Sequence, residues 1–340
     1  MLCIFCCQER APSCEHVLPL AIGGTIMIDR VCEECNSALG SRVDAALSDF
    51  FPIRVRRGKL GLAGNKGESP AWYEMFLGQA KLVGETADRV QITFSEATGR
   101  LDTRQLYHAE DVVAPDGKKV REITLDARDK NQIPTIIARE RKRHGVPPLS
   151  EKELAAAAAN YTTRAVNNPV VQRSISVSFA YLRHAMIKVA YELAFLWLGE
   201  SYLVDPVAVD LRTAICDPDI ASTDNIAGYV GDAENCEVFK FWVPDEAHHL
   251  AYGSVLPGKG IAVSVRVFDI YAAGIVVSKV PGRYLTNVAD QAKLRFLAID
   301  AVSGRTIDTP FAEESRRLAA AMTAYGRLPP FPDPLTPLAD

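Results

Sequence analysis

The sequence predicts an α+β chain, with a small metal-stapled N-terminal module ahead of a larger body of mixed helices and antiparallel strands. Three observations carry that expectation. Six of the eight cysteines fall within the first 35 residues. The stretch Ile175 to Leu198 repeats its large apolar side chains at helical spacing. Between Leu250 and Val280, short β-branched runs are broken by glycine-rich turns.

A chain of 340 residues has room for two ordinary domains, or for a small module on a larger one. The net charge of −4 argues against a protein coated in basic surface, but not against a local basic face. No run reaches the roughly eighteen apolar residues of a membrane helix. The best candidate, Ile175 to Leu198, carries Arg183, Lys188 and Glu192 and reads as a core helix. Cys3, Cys6 and Cys7 stand where a secretory signal would need a basic start and an apolar run, so the expected location is cytoplasmic, with no membrane partner. Cysteines clustered in close pairs then point to metal instead of disulfides.

Residues 1–53 read as the module. Cys3 with Cys6 and Cys32 with Cys35 form two Cys-x-x-Cys pairs, which together complete a tetrahedral thiolate site for structural zinc. Cys7 and Cys14 remain alternatives to Cys6. A module this small buries too little apolar surface to fold well alone, so the ion supplies stability. Asn36 to Phe50 is expected to be helical, with Pro52 ending the helix.

Zinc alone does not account for Glu15-His16-Val17-Leu18-Pro19, for Gly23-Gly24, or for Asn36 directly after the last cysteine. In a two-strand hairpin followed by a helix, the end of the first strand can face the start of the helix. Oxygens of Glu15 and Asn36 would then grip one hard cation such as magnesium. His16, neutral near pH 7, would be free to take a proton from water. That combination suits phosphodiester hydrolysis. Asp44 reads as a solvent-facing helical acid.

These residues, with Leu39-Gly40 and Val43-Asp44, resemble the zinc-stapled branch of the HNH endonucleases. The resemblance covers about the first fifty residues and implies the ββα-metal fold. It implies His16 as general base, Glu15 as the acidic ligand, and Asn36 where the family's last position supplies the second ligand to magnesium or manganese. The family's middle asparagine is missing from Thr25-Ile26-Met27-Ile28-Asp29, which leaves Thr25, Asp29 or a backbone carbonyl to orient the base. The helix with Ile187-Lys188-Val189-Ala190-Tyr191 is loosely similar to longer bacterial proteins carrying this module.

Residues 54–70 read as a basic connector, in which Arg54, Arg56, Arg57, Lys59 and Lys66 form either a solvated linker or a phosphate-contacting strip. Residues 71–328 read as an α+β body. Trp72 to Leu125 suggests a strand meander, with Val90 to Phe94 as one strand and a turn at Asp116-Gly117. The basic stretch Arg139 to His144 comes next, then Pro147-Pro148, and Ser150 with Glu153 forms a capping box. Helices are expected at Ile175 to Leu198, Pro206 to Ile215 and Phe311 to Tyr325. Strands are expected at Val238 to Val243, Leu250 to Leu256, Ile261 to Phe268 and Gly274 to Val280, with a further pair flanking Ser303-Gly304. Residues 329–340 form a proline-rich tail. His184 reads as a boundary residue, and Cys216 and Cys236 as small buried apolar groups. His248 and His249 would point to opposite faces of a strand. Gly258-Lys259-Gly260 reads as a turn.

The expectation for the whole is a metal-dependent endonuclease acting on DNA, with RNA as an alternative substrate. Its body would select substrate or restrain cutting, which leaves room for an activating ligand or a homo-oligomer. Anti-phage defence fits by analogy alone. The rival reading is a non-catalytic zinc module that binds nucleic acid or a protein partner.

Overall fold

The computed structural model describes residues 1–64, 67–84, 88–115, 117–233, 236, 239, 242 and 245–325. The chain divides into two compact units, residues 1–72 with 177–340 and residues 73–176.

The first unit begins with a hairpin of β1 (Pro12–His16) and β2 (Met27–Cys32), followed by α1 (Glu33–Leu39). The register of β1 shifts between Ser13 and Glu15. That bulge leaves Cys14 exposed and turns Glu15 inward, 2% exposed. The turn after β1 needs both of its glycines. Gly23 lies at φ +84 against Ala301, and a Cβ on Gly24 would sit 1.8 Å from the Leu18 carbonyl oxygen.

The helix expected over Asn36 to Phe50 is broken. A wide π turn spans Gly40–Asp44 before α2 (Ala45–Ser48). Pro52 begins a helix instead of ending one. It lies in the first turn of α3 (Phe51–Leu60), where its missing N–H costs nothing. The stretch from Arg54 to Leu60 is thus helical, and of the connector only residues 61–64 and 67–70, among those described, lie outside helix and strand.

The second unit holds a sheet of β3 (Gly78–Leu82), β4 (Arg89–Ser95), β5 (Arg100–Gln105) and β8 (Val171–Gln172), ordered β5-β4-β3-β8. A separate hairpin pairs β6 (His108–Val113) with β7 (Lys119–Thr124). Helices α4 (Ile133–Arg143) and α5 (Glu151–Ala159) complete it, and Ser150 and Glu153 form the expected capping box. Ala80, Val90 and Ile92 make its small core.

The chain then returns to the first unit through α6 (Phe179–Leu198), ended by Gly199 at φ 77, and α7 (Pro206–Cys216). Next come β9 (Gly228–Asp232), β10 (His248–Leu256), β11 (Gly260–Val267), β12 (Tyr271–Ser278), β13 (Arg295–Asp300), β14 (Thr306–Pro310) and α8 (Phe311–Tyr325). The strands form one antiparallel sheet ordered β14-β13-β10-β11-β12-β9. Val263, Val265, Ile275 and Val277 on one face join Leu182, Met186, Val189 and Leu193 of α6 in a core that also takes in Ile4, Val17, Val31 and Leu47 of the module. The module therefore shares its hydrophobic core with α6, which relieves a weakness of so small a fold. The strand expected at Val238 to Val243 falls mostly outside the described residues, as do Asp116, Lys66 and the tail at 329–340.

Candidate active site

The N-terminal knuckle, the end of β2 and the start of α1 gather four thiols. The Sγ atoms of Cys3, Cys6, Cys32 and Cys35 lie within 4.8 Å of one another. A tight knuckle builds the first pair, with the Cys7 N–H donating to Cys3 O at 3.0 Å and Cys7 at φ 54. The knuckle throws the Cys7 side chain outward, and both Cys7 and Cys14 are exposed. Cys6 is therefore the clustered residue. Burial acts to raise the Cys3 thiol, but backbone N–H groups of Cys6, Cys32 and Phe5 outweigh it and bring its pKa to about 7. Four thiols at these separations, one biased to thiolate, suit a tetrahedral zinc ion.

Beside this cluster lies a second, buried one. Lys188 of α6 is fully buried, and its ammonium donates to Glu15 Oε1 at 2.5 Å and to Asp44 Oδ1 and Oδ2 at 2.9 and 3.1 Å. Glu192, one helical turn on, brings Oε2 to 3.5 Å from the same ammonium. Asp44 is thus no solvent-facing acid: the π turn ends on it, and its side chain is 14% exposed. Burial drives the carboxyls of Glu15, Asp44 and Glu192 above their usual range, with Lys188 opposing. His16, half-buried at the end of β1, is held below the usual imidazole value by burial and by the Lys188 charge.

Charge balance tests whether a divalent ion suits this cluster. Glu15, Asp44 and Glu192 all meet the single Lys188 ammonium, so with every acid ionised the group would be left with an excess of two negative charges. Buried net charge of that size is met by protons or by a cation. The donors are hard oxygens, which favour magnesium or manganese over zinc. These oxygens suit such an ion in kind, but the Lys188 ammonium already holds Glu15 Oε1 and both Asp44 oxygens. Among the described residues, the four thiols are the group close enough together to hold a metal.

Asn36 lies in α1 and contacts the strand just before Glu15. Its Nδ2 donates to Ser13 Oγ at 3.1 Å and to Cys14 O at 2.9 Å, clamping the bulged strand to α1. Two ties join the module to α6 nearby: the Tyr191 hydroxyl donates to Ile4 O at 2.6 Å, and Phe5 packs on the Tyr191 ring.

The basic residues separate by role. Arg57 is 7% exposed and donates to Ser48 O at 3.1 Å, and Arg56 reaches Asp269 Oδ1 at 2.8 Å and Glu246 O at 2.9 Å. Arg54 lies 3.5 Å from Asp49, and Lys59 is exposed. Arg56 and Arg57 thus act as internal ties, a correction to reading all four as one phosphate-facing strip.

Three smaller readings change or hold. His184 is buried, 2% exposed, with Nε2 at 2.9 Å from Ile215 O, and is no boundary residue. Cys216 is exposed, whereas Cys236 is buried as expected. His248 meets Asp245, while His249 faces the core, so the two rings do diverge.

Lys188 and Glu192 are legible in the sequence only as charges on an apolar helix. Their spacing of four residues, on a helix otherwise filled with large apolar groups, is the signal that marks a buried pair.

A family model described as HNH endonuclease matches residues 3–52. No curated protein and no solved structure matches the chain. Among the described residues no helix is long and apolar enough to cross a membrane. The matched span includes every cysteine of the thiol cluster, Glu15, His16, Asn36 and Asp44, and residues 3–52 are accordingly an HNH endonuclease module.

Proposed function

We propose that this chain is a DNA endonuclease in which His16 is the general base and Glu15 and Asn36 hold a divalent ion, magnesium or manganese. The observation that carries the reading is the grouping of Glu15, Asp44 and Lys188 in one buried cluster at the end of β1, next to His16. Asp44 joins Glu15 as an acid of the site, a role its contact with Lys188 supports.

His16 enters the reaction neutral, since burial and Lys188 both disfavour its charged form. It takes the proton of the attacking water at an imidazole nitrogen. Asp44 opposes the effects of burial and Lys188 and favours the imidazolium that results. Asn36 holds the strand that carries both Glu15 and His16 against α1, which keeps base and acid in fixed relation. A bound divalent ion would supply positive charge to the phosphate and the leaving oxygen. The larger body suits a restraint on cutting, and anti-phage defence is one setting for such a restrained nuclease.

The test is conversion of supercoiled plasmid with magnesium, with and without chelator, alongside His16→Ala. Metal-dependent nicking by the native chain and its loss in the variant, at unchanged zinc content and melting temperature, are expected. Nicking by the variant at the native rate would remove His16 from its role. A second reading is a non-catalytic binding module, favoured by one fact: Lys188 already occupies Glu15 Oε1. It predicts DNA retention without nicking at any divalent ion concentration.

A further inference from the structure

The sheet of the first unit has two unlike faces. One packs on α6 and the module. On the other, a core of Leu250, Tyr252, Phe296, Ala298 and Leu318 fills the end near α8. Toward the opposite end of β10, β11 and β12 this face opens into a groove of about 780 Å³. That volume lies within the range typical of small-molecule sites, about 300–1,000 Å³.

The groove is shaped by residue choice. Its floor uses small side chains, Ala262 and Ser264 on β11 and Gly274 on β12, and the register sets Ser264 opposite Gly274. A Cβ on Gly274 would come 2.6 Å from the Tyr229 ring, so the missing side chain lets that ring lie against the strand as a wall. Two lysines stand at one end. Lys259 is in the turn before β11 and Lys279 follows β12, and a Cβ on Gly260 would lie 2.9 Å from the Lys279 Cα. Both are exposed, and among the described residues neither forms an ion pair. No described residue lining the groove is acidic. The backbone brings Lys259 and Lys279 to neighbouring strand ends, which concentrates positive charge at that end of the groove.

We propose that this groove binds a small organic phosphate, its phosphate between Lys259 and Lys279 and its planar body on the Ala262–Gly274 floor beside Tyr229. Lysine suits a phosphate as a point charge. The Ser254 and Ser264 hydroxyls in the lining supply hydrogen-bonding groups for the ligand's polar edge. The site is independent of the nuclease reading, because it lies on the sheet face opposite the one that packs on α6.

Calorimetric titration of the full zinc-loaded chain tests the proposal, with ADP, adenosine and inorganic phosphate as separate probes. ADP is expected to bind more tightly than either fragment. Lys259→Glu with Lys279→Glu should weaken ADP by about tenfold or more, and Ala262→Leu should weaken both ADP and adenosine by filling the floor. Circular dichroism checks folding, and Lys259→Gln with Lys279→Gln replaces the charge reversal if that variant does not fold. Absence of heat and of a thermal shift with ADP and phosphate at millimolar concentration overturns the proposal. So does ADP binding that survives both the charge and the floor substitutions.

Discussion

Lys188 Nζ lies 2.5 Å from Glu15 Oε1, joining two residues that are 173 positions apart in the chain. The contact makes α6 part of the HNH module's polar interior, since the same ammonium also reaches Asp44 at 2.9 Å.

Removing that ammonium should be costly. Lys188→Met leaves Glu15 and Asp44 buried without their counter-charge, and breaking a buried pair in this way costs about 3–5 kcal/mol. Glu192→Gln should behave differently. Both Glu192 carboxyl oxygens are buried without a hydrogen-bond partner, and Oε2 lies 3.5 Å from the Lys188 ammonium. Burial raises the pKa well above the usual value, which favours the neutral acid. A neutral amide in its place should change stability by about 1 kcal/mol or less. Urea midpoints of the two variants decide it, and equal losses would mean that Glu192 is ionised.

The thiol cluster predicts a clean division among the cysteines. Cys32→Ser should lose zinc, measured by elemental analysis, and lower the melting temperature, because the ion ties the N-terminal knuckle to the end of β2 and the start of α1. Cys7→Ser and Cys14→Ser should keep zinc at the native level, since both thiols are exposed and outside the cluster. Zinc loss from either would mean that the cluster rearranges when metal binds.

Asn36 clamps the bulged strand to α1, and the proposed function gives it a second duty, holding the cation. Asn36→Ala removes the donors to Ser13 and Cys14 O, at an expected cost of about 1–2 kcal/mol. Asn36→Asp loses the same donors but keeps an oxygen for a cation. Under the proposed function both variants lose stability, while only the alanine variant loses its magnesium-dependent cleavage. Equal cleavage by the two would leave Asn36 as a strand clamp alone.

The parts legible in the sequence are those whose partners are near in the chain or fixed by periodicity. The Cys-x-x-Cys pairs announce a metal cluster by spacing, and α7, α8, β10 and β11 lie close to the expected bounds. Helix α6 starts at Phe179 instead of Ile175, and β12 runs Tyr271–Ser278 instead of Gly274–Val280. Strands β13 and β14 are the pair expected around Ser303-Gly304. Asp44 is different, because its inward turn depends on a break in the helix that local pattern conceals. The apolar series Leu39, Val43, Leu47 and Phe50 runs on through the π turn and hides it. Pro52 is ambiguous in sequence because proline serves equally after a helix and in its first turn. Lys188 with Glu15, and the return of the chain to the first unit at residue 177, are non-local contacts with no trace in local pattern.

His249 ties the sheet to the module in a way that depends on pH. Its Nδ1 accepts from the Phe268 N–H at 3.2 Å, so Nε2 carries the proton and donates to Ile22 O at 2.8 Å. Only the neutral ring satisfies both partners. Burial lowers its pKa from 6.5 to about 4, with the Ile22 carbonyl opposing. Between those values the unfolded chain binds a proton that the folded chain refuses. The stability contribution is complete above the unfolded pKa of 6.5 and is lost as pH falls toward the folded value of about 4. By pH 5 the loss from this one residue should be about 2 kcal/mol relative to pH 7. Other groups titrate in the same interval, so the native chain must be compared with His249→Gln, whose amide can donate to Ile22 and accept from Phe268 without titrating. Urea midpoints at both pH values should fall further for the native chain by that amount. An identical acid sensitivity in the two proteins would mean that His249 is not the group being protonated.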